Sequence, residues 1–156
     1  MKATDLLRAD HESIRRLLAQ IERPGPGPAE TAELRSTIRR ELEIHAQIEE
    51  RLFYPVVERL GSDAAKLVAE ALGEHGAIRL LCDRLETMAL DGHSFRRELA
   101  HLRDKVEWHV AREEHELFDL AEDRIGVDEL EELGVEIEEL EVALLTGPGT
   151  GLQGEL

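Results

Sequence analysis

Apolar side chains recur every three or four positions along most of this chain, the period of helices that bury one face. In residues 4–22 the stripe is Leu7, His11, Ile14, Leu18 and Ile21, with Thr4 and Asp5 as the expected cap. Pro24-Gly25-Pro26-Gly27-Pro28 stops that helix, because proline lacks an N–H and glycine frees the backbone. A second helix is predicted over about residues 30–60, through Leu34, Ile38, Leu42, His45, Ile48, Leu52 and Phe53, with a kink after Tyr54 imposed by Pro55. Gly61-Ser62-Asp63 ends it and caps a third, over about 64–90, through Val68, Leu72, His75, Ile78, Cys82 and Leu85. Asp91–Ser94 reads as a turn. Ser94 caps a fourth helix over about 95–124, through Leu99, Leu102, Val106, His109, Glu113 and Leu117.

Four long helices with short links predict an all-α, antiparallel up-down-up-down four-helix bundle over residues 1–125. Residues 126–145 form a fifth, acidic amphipathic helix through Leu130, Leu133, Ile137, Leu140 and Leu144, broken at Gly134 and packed on the bundle or at a dimer seam. Residues 146–156 are expected to be a disordered tail.

The pattern repeats internally. Asp10-His11-Glu12-Ser13-Ile14-Arg15 matches Glu74-His75-Gly76-Ala77-Ile78-Arg79, and His45-x3-Glu49-Glu50 matches His109-x3-Glu113-Glu114, both at an offset of 64. Each half supplies a lone histidine and then His-x3-Glu. Residues i and i+4 share a helix face about 6 Å apart along the axis, so His45 with Glu49 and His109 with Glu113 can each reach one metal centre. Counted from the turns at ~1.5 Å per residue, His45, His75 and His109 lie roughly 18–22 Å deep. The four histidines are therefore expected near mid-bundle, with His11 the least constrained because of the long Pro/Gly loop. Two imidazoles and a carboxylate per metal suit non-haem iron with open positions. A lone buried histidine also suits a hydrogen-bonded core, but two ionised glutamates on apolar faces would be expensive to bury without cations.

Charge narrows the partners. The chain has 156 residues, 19 Lys and Arg against 35 Asp and Glu, and a net charge of −16. That balance repels phosphate backbones and anionic membranes. The single cysteine, Cys82, makes no intramolecular disulfide, which fits a cytoplasmic protein. Asp5, Arg8 and Asp10 interrupt any apolar leader, and no run is long enough to span a bilayer.

The H…HxxxE…H…HxxxE pattern formed by His11, His45, Glu49, His75, His109 and Glu113 resembles that of the hemerythrin-like (HHE cation-binding) proteins. The resemblance covers about residues 4–124. It implies two iron ions bridged by an oxo or hydroxo group and by Glu49 and Glu113, with the histidines as terminal ligands. The oxygen carriers of that family have a fifth histidine four residues before the third-helix ligand, where this chain has Ala71, and an Asp at i+5 where it has Glu113. Four histidines split two and two leave both irons short of six ligands. Tyr54, the only tyrosine, either fills one vacancy or packs in the core with its hydroxyl on a bridging glutamate or a carbonyl.

Phe53, Ile14, Ile78, Leu117, Phe118 and Trp108 are expected to pack around the site and keep it dry. His101, eight before His109, is either a supporting residue or partly exposed. Arg15 and Arg79 pair with glutamates near the site or on the surface, and Cys82 is a small core residue or a redox group near the metal. The favoured activity is catalase-like disproportionation of hydrogen peroxide in oxidative-stress defence. Dioxygen or nitric oxide binding, and iron storage or delivery, are the alternatives. The chain is expected to act as a monomer or homodimer without nucleic-acid or membrane partners.

Overall fold

A computed structural model describes residues 1–147. Seven α-helices follow one another: α1 (Ala3–Glu22), α2 (Pro28–Ile48), α3 (Tyr54–Val57), α4 (Ser62–Glu86), α5 (His93–Arg112), α6 (Phe118–Arg124) and α7 (Val127–Thr146). Two π-helical turns, π1 (Glu49–Phe53) and π2 (Glu113–Leu117), join α2 to α3 and α5 to α6. A 3-10 turn, Glu58–Leu60, completes the second rod. The four rods α1, α2–α3, α4 and α5–α6 form the predicted bundle, with α1 beside α2 and α5, and α4 beside α2 and α5. No described helix is long and apolar enough to cross a membrane.

The bundle core has two apolar ends with a polar layer between them. One end holds Leu7, Ile48, Phe53, Val57, Val68, Leu117 and Phe118. The other holds Ile14, Leu18, Ile38, Ile78, Leu85, Phe95 and Leu102. Among the described residues, seven polar or charged side chains are buried: Thr4, His11, His45, Glu49, His75, His109 and Glu113. Six of these seven are the residues of the repeat.

Several local expectations are corrected. The distortion at Pro55 is a π-turn that precedes the proline rather than a kink that follows Tyr54. Proline is not its cause, since π2 stands at the repeat-equivalent position with Asp119 where Pro55 would be. α1 starts at Ala3, and the Thr4 hydroxyl donates to Glu122 at 2.5 Å rather than capping the helix. α5 starts at His93 after Gly92, so Ser94 is not its cap. α4 ends at Glu86, short of Leu90.

α7 runs unbroken through Gly134 and packs on α1, α2 and π1. Gly134 is there for close approach: a Cβ would overlap the Met1 carbonyl oxygen and lie 3.4 Å from the Ala3 nitrogen. Leu130, Leu133 and Ile137 thereby join the core. Of the expected disordered tail, Thr146 belongs to α7, and residues 148–156 lie outside the described residues.

Candidate metal centre

Each π-turn begins at the glutamate of a His-x3-Glu pair. Its widened i→i+5 turn brings residue i+5 back towards the face of residue i. The Tyr54 N–H bonds the Glu49 carbonyl, and the Phe118 N–H bonds the Glu113 carbonyl. An ideal α-helix would aim Tyr54 away from Glu49; the π-turn aims it inward. Its hydroxyl lies 3.0 Å from Glu49 Oε1 and 3.2 Å from His75 Nε2, and it donates a very short hydrogen bond to Glu113. Phe118, the repeat partner of Tyr54, stacks on His11 with ring centres 5.7 Å apart.

Four imidazoles from four rods converge on the two carboxylates. His11 Nε2 lies 3.1 Å from His45 Nε2 and 3.0 Å from Glu113 Oε1. His45 Nε2 lies 3.3 Å from Glu49 Oε2. His75 Nε2 lies 3.1 Å from Glu49 Oε1, and His109 Nε2 lies 3.6 Å from Glu113 Oε1. Two overlapping groups result, His11–His45–Glu49–Glu113 and His75–His109–Glu49–Glu113, each with its ligand atoms within 4.8 Å of one another. Both glutamates belong to both groups. Glu49 Oε2 and His109 Nε2 are buried yet make no hydrogen bond, so the donor set is incomplete without a further group. Imidazole and carboxylate donors with cation-sized gaps fit a pair of metal ions.

The sequence reading missed the four carboxylates behind the imidazoles. His11 Nδ1 bonds Glu114 at 2.7 Å, and His45 Nδ1 bonds Asp10 at 3.0 Å. His75 Nδ1 bonds Glu50 at 2.8 Å, and His109 Nδ1 bonds Glu74 at 2.6 Å. Each fixes a tautomer that leaves the Nε2 lone pair facing the centre. The signal lay in the repeat, where Asp10 and Glu74 precede the lone histidines and Glu50 and Glu114 follow the buried glutamates.

The electrostatics invite cations. Burial opposes charge on His45, but Glu49 and Asp10 outweigh it and hold the imidazole well above 6.5. Burial likewise opposes charge on His109, while Glu113, Glu49 and Glu74 push it up to about 10. His11 is raised against its burial by Glu113 and Glu114. Glu49 is held well below the usual carboxylate range despite burial, by His45 and further neighbours. Glu113 is raised by burial and by the charge of Glu49. Tyr54 is pushed far above 10 by burial and by Glu113 and Glu49. Without a metal, protons supply the positive charge that the pocket demands.

Other candidate residues separate by position. Phe53, Ile14, Ile78, Leu117 and Phe118 are buried in the core halves that flank the site. Trp108 is 61% exposed, so it does not pack around the site. It shares a solvent-facing stripe with His101 and Lys105, the half-buried Arg112 guanidinium lies 6.0 Å from its ring, and His101 is exposed, 3.7 Å from Glu98. Arg15 pairs with Glu12 and Glu107. Arg79 reaches the site indirectly, through Glu50. Cys82 is buried, and burial pushes its thiol up to about 11. It lines a cavity of about 280 Å3 between α2 and α4 that exposes His45, His75 and His109, with Arg39, Glu43, Arg79 and Asp83 also on its wall.

A DNA nickase from Nostoc sp. (strain PCC 7120 / SAG 25.82 / UTEX 2576) is 24% identical over 136 residues, which make up 87% of this chain but only 38% of that protein. This chain thus spans well under half the length of that relative. The crystal structure of a hemerythrin HHE cation binding domain-containing protein from Mycobacterium kansasii matches with a TM-score of 0.79 and 24% identity, over 97% of this chain and 94% of that one. That likeness shows the shared fold. The profile described as hemerythrin HHE cation binding domain matches residues 2–121, a span that holds all six convergent side chains, and the chain belongs to that family.

Proposed function

We propose that this is a non-haem di-iron protein that disproportionates hydrogen peroxide, converting two molecules of it to two of water and one of dioxygen. The carrying observation is the pairing of His11 with His45 and of His75 with His109 around two shared carboxylates. In this reading each histidine pair would hold one iron, and Glu49 and Glu113 would serve both. Two bound irons, each changing by one electron, supply the two-electron chemistry that the conversion needs.

The chain supplies position, dryness and a proton. Asp10, Glu50, Glu74 and Glu114 orient the imidazoles. Phe53, Phe118, Leu117, Ile14 and Ile78 exclude bulk water from either side. The Tyr54 hydroxyl holds its proton between Glu49 and Glu113, beside His75. A second role for Tyr54 is as an oxygen ligand on the His75 side, which a tyrosinate-to-iron absorption would reveal. The cavity between α2 and α4 is the proposed way in; it is far larger than the ~30 Å3 share of a water molecule. DNA nicking is not carried over from the longer relative, because a net charge of −16 opposes a phosphate backbone.

Iron analysis should find about two irons per chain, and the loaded protein should evolve oxygen from added peroxide. His45→Ala and Glu113→Ala should lose both properties. Oxygen evolution that persists after the iron is gone would sink the proposal. A reversible spectral change with dioxygen or nitric oxide, without peroxide turnover, would shift the assignment to ligand binding. Iron release to an acceptor without turnover would shift it to storage or delivery.

A further inference from the structure

The repeat that builds the centre is broken just outside it. The carboxylates behind His75 and His109 are each tied to an arginine. Arg79 Nη1 donates to Glu50 Oε2 at 2.9 Å, and its Nη2 donates to Glu50 Oε1 at 3.3 Å. Arg112 Nη1 donates to Glu74 Oε2 at 2.9 Å. Among the described residues, the carboxylates behind His11 and His45 have no arginine within ion-pair distance. Arg15, the repeat equivalent of Arg79, turns to Glu12 and Glu107. Arg8 turns to Glu122 and Asp5, so both act on Glu114 only at longer range. Asp10, behind His45, lies near enough to Glu141 of α7 for the two charges to interact.

A carboxylate that accepts from an imidazole N–H raises the electron density at the opposite nitrogen. A guanidinium on that carboxylate withdraws part of the effect and adds a positive charge to the surroundings. The His75/His109 side carries two such guanidinium groups in direct contact; the His11/His45 side carries none, and α7 adds acid to it.

We propose that Arg79 and Arg112 are positioning residues that make the two metal positions unequal, the His11/His45 position binding a cation first and the His75/His109 position second. The inference rests on the two-cation reading above and concerns only the order of filling.

Zinc is the probe, since it has no redox change of its own, and anomalous diffraction at its absorption edge reads each position separately. Metal-stripped protein given one equivalent of Zn2+ should show it mainly at His11/His45, by ~10-fold or more, the low end of what supporting residues contribute to metal affinity. Arg79→Gln with Arg112→Gln should bring the two occupancies to within a few-fold. Arg79→Lys with Arg112→Lys should preserve the order by keeping the charge. Arg15→Gln should leave the order unchanged, because Arg15 touches no histidine-bonding carboxylate. Equal occupancy in the unaltered protein would overturn the proposal, as would an order indifferent to the paired Gln changes or a gap that they widen. Zinc bound at neither position would instead overturn the metal-centre reading itself.

Discussion

Withdrawal of the cations should make the fold sensitive to alkali. Without metal, His11, His45, His109 and Glu113 all hold protons more tightly than they would in water. A group raised in the native state stabilises the fold fully below its unfolded value, and that contribution is lost as pH rises through the folded value. For His109 the window runs from 6.5 to about 10. At ~1.4 kcal/mol per pH unit, its full deprotonation removes about 5 kcal/mol. Typical domains have only ~5–15 kcal/mol of net stability. Glu49 is depressed instead, so its contribution is present above 4.5 and is lost on acidification. It does not offset the alkaline loss.

In the loaded protein, cations replace those protons. Between about pH 7 and 9, below the range in which the buried Cys82 thiol adds a slope of its own, the native state then binds no more protons than the unfolded chain, and the alkaline slope disappears. Towards acid, protons compete for the ligand nitrogens and metal affinity falls. Urea unfolding followed by helical circular dichroism, between about pH 7 and 9, compares the two forms. The metal-free midpoint should fall steadily across that range while the loaded one stays level. Parallel profiles for the two forms, or metal-free stability that climbs with pH, would refute the reasoning.

Gly134→Ala should destabilise the loaded protein by ~1–3 kcal/mol, since its Cβ meets the Met1 backbone. Gly73→Ala, with nothing within 4 Å of its Cβ, should stabilise it by ~0.5–1 kcal/mol; melting curves that give both changes the same sign would contradict the packing described for α7. Tyr54→Phe should retain about two irons yet lower peroxide turnover by ~10–100-fold, as loss of a group bonded to metal ligands does. Unchanged turnover would remove Tyr54 from the chemistry. Cys82 should resist maleimide in the folded protein at neutral pH and react once unfolded, because burial keeps it a thiol; rapid labelling of the native protein would place it at the surface.

Four of the six convergent residues were legible because each pair obeys a rule internal to one helix, and His11 and His75 because the repeat matches them to each other. His-x3-Glu shares a face, and the 64-residue offset tells two such faces to meet. Their supporting carboxylates follow no such rule. Asp10 and Glu74 each serve a histidine on the next rod, and Glu50 and Glu114 each reach across to another. Periodicity within a helix is blind to those bonds, although the repeat displayed all four residues. The π-turns left no compositional trace, and Pro55 pointed to a different distortion. Trp108 misled because aromatic character suggested a core position, while its neighbours at helical spacing, His101 and Lys105, mark a solvated face. Gly134 read as a break only because sequence does not show which backbone comes close. The most informative places prove to be where the repeat fails: one half has Tyr54 where the other has Phe118, and Arg79 holds Glu50 while Arg15 leaves Glu114. A duplicated hairpin alone would give two equal metal positions. These differences give each candidate position a different neighbour, which is the asymmetry that the proposed order of filling exploits.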